Sequence, residues 1–312
     1  FVKYAIDHNW INEYGRAGIG ILCGGILLVF AHFLRKRFKP FSSVLVGGGI
    51  AVLYFTIGIA FHEYHLFKQE VAFAIMVAIT GFSIMLTLAY DRVELAVLAL
   101  IGGFATPFML STGEGNYIVL FTYLMILNVG MLTLAYFKKW NIINILSYAF
   151  TVLIYGGWLF TKMANAEFPP YNGALLFASL FYLVFFSMHI IHNIKEGHSF
   201  TMLDFSLLLS NTFLYFGAGM FILNHIRHGY YEGIFTACLG IFNFVFAFLL
   251  YKNQKVDRNL VFLLIGLVLS FVSLTAPIQL EGNRITLFWA AETVLLLWLS
   301  QKSGIKLMRI AS

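Results

Sequence analysis

Long apolar stretches, separated by short polar segments, run along almost the whole chain of 312 residues. Each stretch has about 19–24 residues, which lets an α-helix cross a hydrocarbon core of about 30 Å. Eleven of them can be delimited, at residues 16–34, 41–61, 70–90, 93–111, 116–137, 140–163, 172–193, 202–225, 230–251, 258–280 and 283–301. The pattern predicts an all-α integral membrane protein of about eleven transmembrane helices.

Lysine and arginine are divided unevenly between the two alternating sets of loops. The richer set carries 14 of the 20: Arg35, Lys36, Arg37, Lys39, Arg92, Lys138, Lys139, Lys195, Lys252, Lys255, Arg258, Lys302, Lys306 and Arg309. The other carries six: Lys3, Arg16, Lys68, Lys162, Arg227 and Arg284. Positively charged short loops stay in the cytoplasm. We therefore expect residues 1–15 to lie outside and the C-terminal end to lie in the cytoplasm.

Composition agrees with a membrane location. The chain is 60% hydrophobic and only 11% charged, whereas an ordinary soluble domain carries about a quarter charged residues. Its net charge of +6 is explained by the excess of lysine and arginine in the cytoplasmic loops, which face anionic lipid headgroups. We therefore predict that the chain interacts with the lipid bilayer and not with nucleic acid. Cys23 and Cys238 lie inside spans and form neither a disulfide framework nor a zinc signature. We expect them to be packing residues, and we predict no cofactor.

The first residues, Phe1-Val2-Lys3-Tyr4-Ala5, contain no methionine and no signal-peptide pattern. An external start implies that an earlier helix carried the chain across the membrane. We expect residues 1–15 to comprise the end of a preceding span and an external interfacial segment of a longer protein.

Short sequence repeats suggest duplicated hairpins within a single membrane domain, residues 16–312. The hexapeptide Met-Leu-Thr-Leu-Ala-Tyr occupies both 85–90 and 131–136, and Glu-Gly-Asn occupies both 114–116 and 281–283. These matches predict tandem hairpins in one orientation, at about 41–90, 93–137, 140–193, 202–251 and 258–301. Chance matches within an apolar alphabet are the alternative.

Two motifs carry a resemblance to a known family. They are Gly-Gly-Phe-Ala-Thr-Pro at 102–107 and Leu-Ser-Thr-Gly-Glu-Gly-Asn at 110–116, supported by the opening Phe1–Asp7 and the run Gly47–Ala51. They resemble domain of unknown function 2339, a family of large bacterial predicted membrane proteins. The resemblance is dense over residues 1–160 and thin beyond. It implies a polytopic fold, a bacterial inner-membrane location and a longer parent chain, but no established activity or catalytic residue.

The motif at 102–107 is also the first candidate site. Gly102 and Gly103 allow a neighbouring helix to approach closely, and Pro107 frees the carbonyl four residues earlier and kinks the helix. The turn that follows, formed by Ser111, Thr112, Gly113, Glu114, Gly115 and Asn116, offers backbone N–H groups to an anion or a sugar hydroxyl. The alternative is a tight polar hairpin cap at the membrane surface.

Polar residues inside the spans are the second kind of candidate. Glu292 lies about 13 Å into its span at helical rise, where a carboxylate is costly and marks either a functional polar site or a structural bond between helices. Asn128 and Asn243 are expected to join helices. Asp91 with Glu94, and Thr201 with Asp204, are spaced as helix caps.

Histidine pairs give a weak metal signal. Six of the nine histidines form His-x-x-His pairs, and residues three apart share a helix face. The candidates near the outer surface are His62, His65, His225 and His228. No HExxH or Cys/His set accompanies them, so we predict no metal site.

These features favour a multi-pass inner-membrane scaffold or permease-like subunit of a cell-envelope complex, with other membrane or envelope proteins as partners. The first alternative is an autonomous transporter or channel for a small or amphipathic solute, with a polar path near Glu292. The second is an intramembrane enzyme acting on lipid-linked substrates. Short external loops and the lack of a nucleotide or nucleophile motif argue against this enzyme, and we predict no catalytic residue.

Overall fold

A computed structural model describes residues 11–110, 116–138, 140–163, 168–196, 200–226, 229–252 and 257–303. All regular secondary structure in these ranges is helical. The helices are α1 (Glu13–Leu34), α2 (Lys39–His62), α3 (Gln69–Tyr90), α4 (Val93–Met109), α5 (Tyr117–Phe137), α6 (Asn141–Trp158), α7 (Tyr171–Glu196), α8 (Met202–Asn224), α9 (Glu232–Tyr251), α10 (Arg258–Gln279) and α11 (Asn283–Ser303). A π-helical turn, Leu159–Met163, continues α6.

The eleven helices coincide with the eleven predicted spans, so the all-helical polytopic prediction is confirmed. Nine helices of the described ranges are long and apolar enough to cross a membrane. Helix α4 is shorter, with 17 residues, and α11 is not among the nine. Arg284, Glu292 and Lys302 in α11 give it the least apolar sequence of the set.

The chain divides into two compact units, Phe1–Trp158 and Leu159–Ser312. In the first unit, α1 packs most extensively against α2, and α3 against α4. Helices α1 and α2 cross at Gly24 and Gly49: a Cβ built on Gly24 would lie 3.1 Å from the Gly49 carbonyl oxygen. Glycine, which has no Cβ, favours such a close approach of two backbones. The core of this unit lies around Ile50, Tyr54 and Met76.

In the second unit, α9 packs most extensively against α10, and α7 against α8. Its core is aromatic, with the Phe186 ring 4.9 Å from Phe242 and 4.8 Å from Phe246. In both units, the two helices of each best-packed pair are connected by a loop of the set richer in lysine and arginine. The predicted hairpins pair helices through the other set of loops, and that division stays a prediction.

One predicted cap is confirmed and the other is wrong. Thr201 and Asp204 form a capping box at the start of α8, each side chain accepting a backbone N–H of the other residue. Asp91 does not cap α4, whose N-cap is Arg92 without a side-chain bond. Instead Asp91 ends α3 at a φ of 53°, and its carboxylate pairs with Lys138 Nζ at 2.7 Å. Aspartate adopts this left-handed conformation more readily than most residues, which is consistent with its place at the end of α3.

Candidate functional site

The Gly102–Pro107 segment lies on α4, where three other helices meet it. A Cβ on Gly102 would lie 2.5 Å from the Tyr54 ring of α2, and one on Gly103 would lie 2.9 Å from the Leu127 side chain of α5. A Cβ at either position would force its neighbour to shift, more so at Gly102, where the rigid Tyr54 ring lies closest, so the glycines allow the neighbours to reach the α4 backbone.

Pro107 supplies the second feature of this segment. Proline has no N–H, so the Gly103 carbonyl, four residues earlier, loses its usual helical donor. The Tyr123 hydroxyl on α5 donates to that carbonyl oxygen at 2.7 Å. Tyr123 and Gly103 are buried, where an unpaired carbonyl would be costly. Helix α4 is thus joined to α5 through the carbonyl oxygen that Pro107 leaves without a helical donor.

Three further hydroxyls lie beside this bond, those of Tyr54, Thr80 and Thr106. The Tyr54 hydroxyl is 2.6 Å from Thr80 Oγ1, which itself donates to the Met76 carbonyl at 2.8 Å. Tyr54 is therefore the donor to Thr80. Thr106 Oγ1 donates to the Gly102 carbonyl at 3.0 Å. All these side chains are buried, and none is a carboxylate, imidazole or amine. Their neutral hydrogen bonds join α2 to α3 and α4 to α5.

A matching arrangement occurs in the second unit, at Pro277 of α10. This proline frees the Ser273 carbonyl, which accepts a hydrogen bond from Trp289 Nε1 of α11 at 3.2 Å. Ser273 Oγ also donates to Glu292 Oε1 at 2.6 Å. Glu292 is half-buried, and this bond connects its carboxylate to the preceding helix.

The two prolines occupy equivalent positions in their helices. Pro107 precedes the end of α4 at Met109 by two residues, and Pro277 precedes the end of α10 at Gln279 by two. Each donor, Tyr123 or Trp289, lies six residues after the start of the next helix, at Tyr117 or Asn283. The repeat of units 93–137 and 258–301 itself stays a prediction. Sequence reasoning missed Pro277, although the same rule for a proline inside a helix points to it.

The two mid-span asparagines differ in their bonding. Asn128 of α5 accepts from Ser147 Oγ at 2.9 Å and donates to Thr151 Oγ1 at 3.0 Å, both on α6. Asn243 of α9 donates to the Leu239 carbonyl of its own helix at 2.8 Å. Asn243 Oδ1 makes no hydrogen bond within the described residues, and neither does the buried hydroxyl of Tyr182 on α7.

The external turn and the histidine pairs are only partly described. Ser111, Thr112, Gly113, Glu114, Gly115 and His228 lie outside the described residues. Asn116 caps α5, accepting from the Ile118 N–H at 2.9 Å. His225 stacks on Tyr171 with ring centroids 5.4 Å apart, and His62 contacts the Phe61 ring. The described part of the chain contains no group of three His, Cys, Asp or Glu residues placed to hold a metal ion.

The described helices are apolar, and hydrogen bonds between polar groups join neighbouring helices. These features define a polytopic α-helical membrane protein. A family model described as "Predicted membrane protein (DUF2339)" matches residues 1–312. The chain belongs to this family, as the motifs at 102–107 and 110–116 indicated. A search of curated proteins and a search of solved structures each found no match to the chain.

Proposed function

We propose that the protein is a multi-pass scaffold or permease-like subunit of a cell-envelope complex in the bacterial inner membrane, with residues 1–15 outside and the C-terminal end in the cytoplasm. The observation that carries this proposal is how polar side chains inside the spans are bonded. Tyr123, Asn128 and Glu292 each bond to a neighbouring helix. Groups bonded in this way hold helices together, whereas a transport path needs polar groups that face water or solute.

Helix α11 offers a surface for a partner. Among the described helices of the second unit, its main packing partner is α10. Leu287 is 70% exposed and Val294 69% exposed. A transmembrane helix of another subunit would fit against this apolar face by van der Waals packing.

Site-specific crosslinking in intact membranes tests the scaffold role. A photoreactive residue at Leu287 or Val294 should form an adduct with one discrete protein. The matched control is Ile241 of α9, which is 62% exposed and should form lipid adducts only. Lipid adducts alone at all three positions would contradict the proposed subunit role.

A transporter remains the second candidate, because Glu292 is a carboxylate inside the predicted span 283–301. Two variants separate the roles. Glu292→Gln keeps an oxygen that accepts from Ser273 but cannot ionise, whereas Ser273→Ala removes that hydroxyl and keeps the carboxylate. Transport predicts that proton- or cation-dependent solute uptake into proteoliposomes is lost in Glu292→Gln and kept in Ser273→Ala. Unchanged uptake or growth with Glu292→Gln would make the residue structural.

A further inference from the structure

The strongest unexplained feature is a basic cleft at one end of the first unit. It has a volume of about 630 Å³ and lies between the α1–α2 loop and the α3–α4 junction. Its charged lining residues are Arg35, Lys36, Lys39, Arg92 and Asp91. The volume falls in the range of small-molecule sites, about 300–1,000 Å³.

Positive charge dominates the cleft because its only acidic lining residue is already paired. Asp91 is bound by Lys138 at 2.7 Å, and Lys138 is not part of the lining. The four cationic side chains that line the cleft therefore have no unpaired carboxylate beside them among the lining residues. Such a cluster produces a positive potential that attracts anions.

One of the four is held in place by the fold. The Arg35 guanidinium lies 4.6 Å from the centroid of the Tyr90 ring and donates through Nη2 to the Ala89 carbonyl. Arg35 thus bridges the ends of α1 and α3, with further N–H donors left for an anion. A positioned guanidinium is well suited to a phosphate group.

Two helix N-termini add to the positive potential of the cleft. Helix α2 begins at Lys39 and α4 at Val93, and their N-caps, Phe38 and Arg92, provide no side-chain cap. The first N–H groups of a helix carry partial positive charge and favour anions. Lys39 and Arg92 line the cleft, so these helix starts reinforce the cationic side chains.

The geometry points to a binding site for the phosphate group of an anionic phospholipid. Phe33, 77% exposed, also lines the cleft and continues it onto the apolar flank of α1. A headgroup can therefore enter among the cations while its acyl chains lie along the helix. A soluble phosphate compound shares the anionic group but would make no use of that apolar flank.

The test uses the full chain in nanodiscs of phosphatidylcholine that contain a small fraction of phosphatidylglycerol. Native mass spectrometry measures how much phosphatidylglycerol stays bound after delipidation. Lys36→Gln with Lys39→Gln should lower retention by roughly 10- to 30-fold, as expected for two cations near an anionic headgroup. Both lysines are exposed, and an unchanged thermal midpoint checks that the variant is folded.

Arg37→Gln is the matched control, because Arg37 lies in the same loop, is exposed and does not line the cleft. Retention in this variant should stay within about twofold of the wild type, since its charge acts only through the screened surface field. Equal losses in both variants, or no loss in either, would overturn the site. Displacement of the lipid by millimolar inorganic phosphate would show a soluble phosphate site and would overturn the lipid assignment.

Discussion

The hydrogen bond between Tyr123 and the carbonyl freed by Pro107 gives a sharp quantitative prediction. Tyr123→Phe removes the donor at 2.7 Å and leaves the Gly103 carbonyl buried without the bond that replaced its helical one. An unsatisfied buried group costs about 1–3 kcal/mol, and measured bonds between membrane helices average about 0.6 and reach about 1.7 kcal/mol. We therefore expect the variant to lose about 1–2 kcal/mol of unfolding free energy.

Tyr182→Phe is the matched control. Tyr123 and Tyr182 are both 4% exposed, but the Tyr182 hydroxyl makes no hydrogen bond within the described residues. Removing it breaks no formed hydrogen bond, and only the weaker interactions of the hydroxyl with Thr212 and Asn243 are lost, so the free energy of unfolding should change less than in Tyr123→Phe. Unfolding in mixed micelles, with increasing sodium dodecyl sulfate and circular dichroism as the signal, measures both variants.

Pro107→Ala completes a double-mutant cycle. Alanine restores an N–H that can donate to the Gly103 carbonyl, so Tyr123→Phe should cost less than half as much in this background. An undiminished cost would refute the reasoning that the proline and the tyrosine act together. Equal effects of Tyr123→Phe and Tyr182→Phe would refute it as well.

Three further predictions concern orientation, packing and capping. A cysteine in the Arg35–Lys39 loop should be shielded from an impermeant thiol reagent in intact cells, whereas one replacing Asn116 should react; the reverse pattern would overturn the assigned sidedness. Gly102→Val should lower the free energy of unfolding by about 1–3 kcal/mol, because its side chain would overlap the Tyr54 ring, whereas Gly81→Val, in open space on α3, should be near neutral in the same micelle titration. Thr201→Ala should cost about 1 kcal/mol by loss of the capping box. Ser206→Ala serves as its control, because among the described residues the Ser206 hydroxyl bonds to the Met202 carbonyl of its own helix; equal losses would argue against the cap.

Local rules made several features predictable. Span length follows from the hydrocarbon thickness, so the helices begin and end close to the apolar limits in the sequence. The freed carbonyl at Gly103 follows from Pro107, because a helical N–H always pairs four residues back. The capping box at Thr201 follows from residue spacing in the same way. None of these depends on how one helix is placed against another.

The tertiary structure determines which residue on another helix bonds to each of these groups. A freed carbonyl can be predicted from the chain, but the choice of Tyr123 or Trp289 as its donor depends on the rotation and depth of the next helix. Asp91 has the spacing of a cap, yet Lys138, 47 positions away, engages it in another role. The basic cleft likewise combines two loops that are distant in the chain. Hydrophobic patterning determines which segments enter the membrane, whereas close approach at Gly49 and Gly102 determines which polar groups meet there, because hydrogen bonds require contact within about 3 Å.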